Sequence, residues 1–220
     1  TKQLYFKILR RAVILFVLGM ACQGHLLDFD SATLHIFSNT LQAIAVGYLI
    51  AAIVVLNVGV IGQVIFTILM LSGYWALLRF IPLAEHGAGS LEPKANVAYV
   101  VEQFVTRGFI DGTDPPYTWV LSGMTFSAST LLGVFSGHVL RSSIPTWGRV
   151  GLLLLLGLCC LAGGWLWADI LGFPIIKHIW TSSMVLWAGG WSYLLLALFY
   201  LVIDVVGFRR WAFPFVVIGL

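Results

Sequence analysis

Charged side chains are scarce in this sequence. They make up only 10% of the 220 residues, whereas 60% of the residues are hydrophobic. A soluble globular domain carries about 25% charged residues and is at most about half apolar. So little charge excludes a soluble domain and predicts an integral membrane protein that has the lipid bilayer, and no nucleic acid, as a partner. The length fits one polytopic domain over residues 1–220 and leaves no room for a further soluble domain.

Cysteine and the common catalytic motifs are equally sparse. The three cysteines are Cys22 and the adjacent pair Cys159 and Cys160, which point in different directions on an apolar helix. No CxxC spacing occurs, so we expect neither a disulfide framework nor a metal site. The sequence also has no phosphate-binding loop, zinc signature or GxSxG elbow. The basic N-terminal residues precede no small-residue cleavage site, which argues against a cleavable signal peptide. We expect this chain to be the central part of a longer protein.

Long apolar runs are what the sequence does contain. A run of about 20 apolar residues is long enough to cross the hydrocarbon core of a bilayer as a helix. The predicted spans are residues 8–27, 36–56, 60–81, 117–140, 150–169 and 184–203, and a seventh begins at Trp211. The predicted fold is therefore all-α, a polytopic transmembrane helix bundle with about six full spans and the start of a seventh.

Residues 83–116 form the one long predicted loop. Within it, residues 96–106 have the apolar spacing of a short amphipathic helix, with Val97, Val100, Val101 and Phe104 on one stripe. Long loops in compact proteins are usually lids or binding loops. Eight of the 12 Lys and Arg residues fall on the same side as the N-terminus. This bias predicts that the first basic segment is cytoplasmic and that the long loop is extracytoplasmic.

The sixth span begins with a polar segment, which makes the stretch 173–204 the most informative in the chain. A turn at Pro174 is followed by Lys177, His178, Trp180 and the hydroxyl residues 181–183. The lysine would attract an anionic group, which the hydroxyls and the N–H groups of the helix start would coordinate. An N-cap with an interfacial lysine and tryptophan would produce the same pattern without any ligand. The residues alone leave both interpretations open.

Three other groups of polar residues accompany the predicted spans. Asn39 and Gln42 at the start of the second span either bond to a neighbouring helix or line a cavity. The fourth span is rich in Ser, Thr and Gly and ends near His138, which suits close helix packing as well as a narrow channel. Gln23 and His25 lie at the end of the first span, where the imidazole is either a base or a solvated group.

Several of these stretches resemble the heparan-alpha-glucosaminide N-acetyltransferase family. The segment FPIIKHIWTSSMVLWAGG is similar to the family signature FPINKxLWTSSYVLxTGG, and NTLQAIAVGYLIAA is similar to GVLQRIALCYLIAA. The segments LSGYWALLRFIPLAEHGAGSLEPKANVAYVVEQ, STLLGVFSGHVLRS and RRWAFPFVVIGL match the family in the same order. The likeness covers essentially all 220 residues.

The resemblance implies a multi-pass acyltransferase that takes an acetyl group from cytoplasmic acetyl-CoA. It implies delivery to an amino sugar or glycan on the far side of the membrane, which for a bacterial relative is the inner membrane. We expect no metal, and the notion of a homo-oligomer stays open. The catalytic histidine of the family lies ahead of the residues that begin this chain, so the catalytic residue is unknown. The family arginine and asparagine are replaced by Ala43 and Ile176. The substrate- and cofactor-binding candidates are Asn39, Gln42, Lys177, Trp180, Thr181, Ser182 and Ser183.

Two other functions compete with acyl transfer. A small-solute carrier would use the polar fourth span, although no predicted span has an ionisable residue at its centre, where proton-coupled carriers usually place one. A non-catalytic membrane scaffold is the third possibility, and the replacements at Ala43 and Ile176 favour it.

Overall fold

Seven α-helices follow one another within residues 2–28, 34–83, 87–107 and 114–209, the part of the chain that the computed structural model describes. They are α1 Lys2–Gln23, α2 Thr40–Asn57, α3 Val60–Phe80, α4 Val97–Thr106, α5 Gly123–Arg141, α6 Thr146–Asp169 and α7 Ser182–Tyr200. A 3-10 turn follows α1 and a π-helical turn, Leu201–Val205, continues α7. The two-residue strands Pro82–Leu83 and Gly87–Ala88 form a small antiparallel pair. The all-α helical bundle is confirmed.

Four of the described helices are long and apolar enough to cross a membrane. They are α2, α3, α6 and the continuous stretch from Ser182 to Val205. Helices α1 and α5 lie where spans were predicted, but basic residues lower the apolarity of the first and Ser, Thr and Gly lower that of the second. Integral membrane character is thus supported, and the six-span topology stays a prediction. The seventh predicted span lies outside the described residues.

The predicted boundaries differ most from the observed helices at the first and fourth spans, and α2 begins at Thr40 rather than at residue 36 because Asn39 caps it. The first helix covers Lys2–Gln23 rather than residues 8–27, so the basic residues are inside the helix and not ahead of it. Lysine and arginine are good helix formers, and a left-handed His25 (φ 55°) follows the helix end. The fourth predicted span begins at Gly123 rather than at residue 117, because the N–H groups of Trp119 and Val120 bond to a side chain on α4.

Helices α6 and α7 are in close contact along the bundle. A Cβ at Gly190 would lie 2.8 Å from the carbonyl oxygen of Gly157, and one at Gly157 would lie 3.1 Å from that of Gly190. The two backbones therefore touch directly, as small residues allow in a membrane. Helix α5 packs on α2 in the same way, since a Cβ at Gly47 would lie 2.8 Å from the carbonyl oxygen of Phe126.

Helix α4 confirms the short helix predicted in the loop but divides its apolar stripe. Val97 is buried, whereas Phe104 is 84% exposed. The buried side of the helix also contains Glu102 and Thr106. The helix therefore faces the bundle with polar groups and presents Phe104 and Val105 outward.

Candidate functional site

The polar segment ahead of α7 forms a tightly hydrogen-bonded turn whose hydroxyl residues are buried. Thr181 is the N-cap of α7, and its hydroxyl oxygen accepts hydrogen bonds from the backbone N–H groups of Ile176 (3.0 Å) and Met184 (3.4 Å). The same hydroxyl donates to the carbonyl oxygen of Pro174 at 2.9 Å. Ser183 donates to that carbonyl as well, at 3.0 Å. These bonds fold residues 174–183 back onto the first turn of α7.

Ser182 attaches this turn to a neighbouring helix. Its hydroxyl donates to the carbonyl oxygen of Leu71 on α3 at 2.7 Å. Thr181, Ser182 and Ser183 are all fully buried. Their hydroxyl hydrogens are therefore committed to protein oxygens, and the three residues hold the segment in place.

A second set of bonds holds the turn from the other side, and sequence reasoning missed it. Tyr74 of α3 and Ser122 at the start of α5 both donate to the carbonyl oxygen of Ile179, the latter at 3.1 Å. The N–H of Thr118 donates to the carbonyl oxygen of His178 at 3.0 Å. A tyrosine in the middle of an apolar span was the one signal in the sequence, since a buried phenol needs a polar partner.

This double attachment fixes Trp180 in an unusual conformation. Its φ of 46° places a bulky residue in the left-handed region, which residues other than glycine avoid. The indole N–H donates to the hydroxyl oxygen of Ser129 on α5 at 3.3 Å. Strained backbone of this kind persists where surrounding structure enforces it, and it clusters at functional sites.

Trp180 borders a cavity of about 320 Å³ between α5 and α7. The volume is within the range of about 300–1,000 Å³ typical of small-molecule sites. Gly133 of α5 and Gly189 of α7 contribute no side chain, which leaves the space open. The lining is mostly apolar, and its polar side chains are Ser129, Ser136, Trp180, Ser192 and Tyr193.

The hydroxyl groups of the cavity share one hydrogen-bonding state. Each donates its hydrogen to a backbone carbonyl oxygen at 2.7–2.9 Å, as Ser136 does to Gly133 (2.7 Å) and Tyr193 to Leu132 (2.7 Å). A hydroxyl that donates to the protein keeps its oxygen as an acceptor. The cavity therefore suits a ligand that donates hydrogen bonds, such as an amine or a sugar hydroxyl, and that also has an apolar part.

The other predicted site residues lie apart from this cavity. Lys177 is exposed and does not line it. Asn39 and Gln42 are buried at the start of α2, where they form a capping box. The amide of Asn39 donates to the carbonyl oxygen of Gly19 on α1 at 2.6 Å, and that of Gln42 donates to Ile36 at 2.6 Å. Asn39 thus joins α2 to α1, whereas Gln42 bonds only to the segment that leads into its own helix.

The histidines and replaced family positions are also dispersed. His138 is 3.1 Å from the amide oxygen of Gln63, and the ring of His25 lies 5.7 Å from that of His35. Ala43 is buried among aromatic residues, and Ile176 is half-buried beside the turn. In the described ranges, no three His, Cys, Asp or Glu side chains come together in a way that would hold a metal ion.

Glu102 is a further residue that sequence reasoning missed. One carboxylate oxygen accepts the N–H groups of Trp119 (2.9 Å) and Val120 (2.8 Å), and the other is buried without a partner among the described residues. Burial raises the pKa of this carboxyl, and the two N–H donors oppose the rise only in part. Glu102 thereby links α4 to the segment that leads into α5, the helix that forms one wall of the cavity.

Neither protein-family models nor curated proteins match this chain. The resemblance to the acetyltransferase family therefore remains an expectation that depends on the sequence segments quoted above.

Proposed function

We propose that this protein is a membrane acyltransferase that moves an acetyl group from cytoplasmic acetyl-CoA to an amino sugar or glycan across the bilayer. One observation carries the proposal. The segment that resembles the family signature forms the rigid turn that places Trp180 at a cavity whose hydroxyl oxygens accept hydrogen bonds. An amino sugar supplies both N–H and O–H donors for those oxygens, and its ring faces suit contact with an indole.

Each residue of the site then has a distinct role. Trp180 contacts the acceptor, while the hydroxyls of Ser129, Ser136 and Ser192 accept its hydrogen bonds. Thr181, Ser182 and Ser183 act as positioning residues for Trp180, because their own hydrogens already bond to protein oxygens.

Acetyl-CoA, when bound, supplies the acetyl group as an activated thioester. The mostly apolar cavity is compatible with the acetyl end of this molecule, and no Lys or Arg lines it to hold phosphates. The nucleotide end therefore belongs outside the cavity in this proposal. We assign the general base to none of the residues that line the cavity.

The topology that accompanies this function has six full spans, a cytoplasmic N-terminus and an extracytoplasmic loop at 83–116 in a bacterial inner membrane. The distribution of Lys and Arg supports this orientation. Exposed Lys177 would then lie on the outer side, where it is available to an anionic group of a glycan.

Acetyl-CoA turnover in the purified full-length protein tests the proposal. We expect release of free CoA in lipid nanodiscs to rise when glucosamine is added. Trp180→Ala should lower this release at least about tenfold, as expected when roughly 1.4 kcal/mol of binding is lost. Trp191→Ala is the matched control, because Trp191 is on α7 but half of its surface is exposed and it does not line the cavity. The proposal fails if no amino sugar stimulates release, or if both variants lose activity equally.

A small-solute carrier is the second candidate, and the same cavity favours it. Several lining residues of α5 and α7 are small or carry hydroxyls, among them Ser129, Gly133 and Gly189, which suits the passage of a neutral solute. Uptake of labelled glucosamine into proteoliposomes without acetyl-CoA separates the two candidates. Transport together with absent CoA release would select the carrier, and the absence of both activities would select a non-catalytic scaffold.

A further inference from the structure

A second cavity, of about 510 Å³, lies between α1 and α2. We call it the basic cleft, because Lys7, Arg10 and Arg11 line it together with Tyr48. Arg10 and Arg11 follow Lys7 by three and four residues on α1, so each is a neighbour of Lys7 on the helix surface. The basic cleft is separate from the proposed acyl-transfer site and does not depend on that function.

The basic cleft lies at the depth of the apolar part of α2. The start of α1 meets the end of α2 where the hydroxyl of Tyr5 donates to Asn57 at 3.0 Å. Arg11 is six residues further along α1, which is about 9 Å deeper at 1.5 Å per residue. There its guanidinium lies 5.4 Å from the ring centre of Tyr48, near the middle of α2.

The three cations have no counter-charge within the described part of the chain. The ion pair found there joins Lys94 and Asp114, and no carboxylate pairs with Lys7, Arg10 or Arg11. Like charges at this spacing repel one another. Cations at membrane depth are costly unless they meet an anion or extend to the interface. The arrangement therefore calls for an anionic ligand.

The remaining lining identifies the kind of anion. Leu4 and Ile14, which line the cleft before and after the cations, are 45% and 50% exposed, so the cleft opens on the lipid-facing surface of α1. Leu15 adds an apolar surface deeper than the cations. A ligand must therefore combine a negative head with an apolar tail. Basic pockets between transmembrane helices bind anionic lipid headgroups in this way.

We propose that the basic cleft binds an anionic phospholipid. Its headgroup phosphate lies between Lys7, Arg10 and Arg11, and an acyl chain follows Ile14 and Leu15 into the bilayer. Water-soluble phosphate compounds share the phosphate chemistry but have no apolar chain to contact Ile14 and Leu15.

Native mass spectrometry of the full protein with phosphatidylglycerol tests this inference. We expect saturable binding of phosphatidylglycerol and weaker binding of phosphatidylcholine. Arg10→Gln combined with Arg11→Gln should weaken phosphatidylglycerol binding roughly 30-fold, since each contact contributes about 1 kcal/mol. The matched control is Arg79→Gln with Arg141→Gln, which removes the same charge from exposed positions on α3 and α5. This control should bind within about threefold of the wild type.

Two further variants keep the inference testable if the double Gln variant folds poorly. Arg10→Lys with Arg11→Lys retains the charge and should retain phosphatidylglycerol binding. Lys7→Gln alone should weaken it about fivefold. Unchanged binding in the Gln variants, or an equal loss in the control pair, overturns the inference.

The source of the phosphate is tested separately by thermal shift. Phosphatidylglycerol should raise the melting temperature of the wild type more than inorganic phosphate or free CoA does. Equal stabilisation by either soluble compound would overturn the lipid assignment. A dimer that dissociates in the double Gln variant while lipid binding persists would instead assign the cleft to a second copy of the chain.

Discussion

Trp180 shows how single residues make this site. Its left-handed backbone is held by bonds to both flanking residues, since the carbonyl oxygen of Ile179 accepts from two hydroxyls and the hydroxyl of Thr181 caps the helix that follows. A tryptophan at this position is unfavourable by itself, because left-handed conformations cost L-residues about 1–2 kcal/mol. The residue with this strained backbone is the one whose indole borders the cavity.

Comparing two substitutions at Trp180 separates the backbone from the side chain. Trp180→Gly removes the ring and the strain, whereas Trp180→Ala removes only the ring. We expect the Gly variant to be more stable than the Ala variant by about 1 kcal/mol, and both to lose acyl transfer. Unfolding in detergent followed by tryptophan-independent circular dichroism measures the difference. An Ala variant as stable as the Gly variant would contradict the strain.

Glu102 gives the protein a pH-dependent stability outside the spans. Burial raises the pKa of its carboxyl above the ordinary value of 4.5. The folded state then binds the proton more tightly than the unfolded state, so the free energy of unfolding falls as the pH rises from about 4.5 through the folded-state pKa. Glu102→Gln keeps the acceptor oxygen for Trp119 and Val120 and removes the titration.

The melting temperatures of wild type and Glu102→Gln should therefore converge at low pH and diverge as the pH rises toward about 7. The wild type should be the less stable of the two at the upper end. Subtracting one curve from the other cancels the titration of groups common to both proteins. Parallel curves across this range would show that Glu102 does not carry the pH dependence.

At the scale of elements, helices α6 and α7 pack with their backbones in direct contact. Gly190→Ala would place a Cβ 2.8 Å from the carbonyl oxygen of Gly157, and backbone cannot move aside cheaply. We expect a loss of about 1–3 kcal/mol of stability, typical of overpacking. Gly151→Ala is the control within α6, because no atom lies within 4 Å of its added Cβ. That variant should match or exceed wild-type stability in a detergent unfolding titration.

The sequence predicts the elements well because apolar run length is a local property. The predicted third and fifth spans agree with α3 and α6 to within a few residues. The first helix was misplaced because the basic residues, taken as flanks, are good helix formers and continue it. The fourth long helix begins later than its predicted span, because the carboxylate of Glu102, 17 residues upstream, accepts the backbone N–H of Trp119.

The cavity itself was beyond sequence reasoning. It exists because Ser129 and Gly133 on α5 face Gly189 and Ser192 on α7, about 60 residues later in the chain. No local pattern specifies that pairing. The small residues of the fourth span did indicate close packing or a channel, and Trp180 was singled out, yet their meeting follows only from how the helices pack.

At the scale of the whole molecule, the proposed orientation of the chain in the membrane can be tested by labelling. Single cysteines at Ser90 and at Ser143, introduced after replacing Cys22, Cys159 and Cys160 by alanine, report the side on which each segment lies. We expect a membrane-impermeant maleimide to label Ser90→Cys on intact spheroplasts and Ser143→Cys only after lysis. The reverse pattern would invert the proposed orientation, and equal labelling of both would contradict a six-span arrangement.

The bonds that hold the turn ahead of α7 also set the order in which the molecule is completed. Ser182 bonds to Leu71, 111 residues earlier, and Ser122 bonds to Ile179, 57 residues later. A ribosome delivers the chain from its N-terminus, so α3 and α5 are made well before the turn. The turn gains its partners only after both helices are in place. The cavity is therefore assembled only after α7 is made, and a nascent chain that stops before α7 has no binding site to expose.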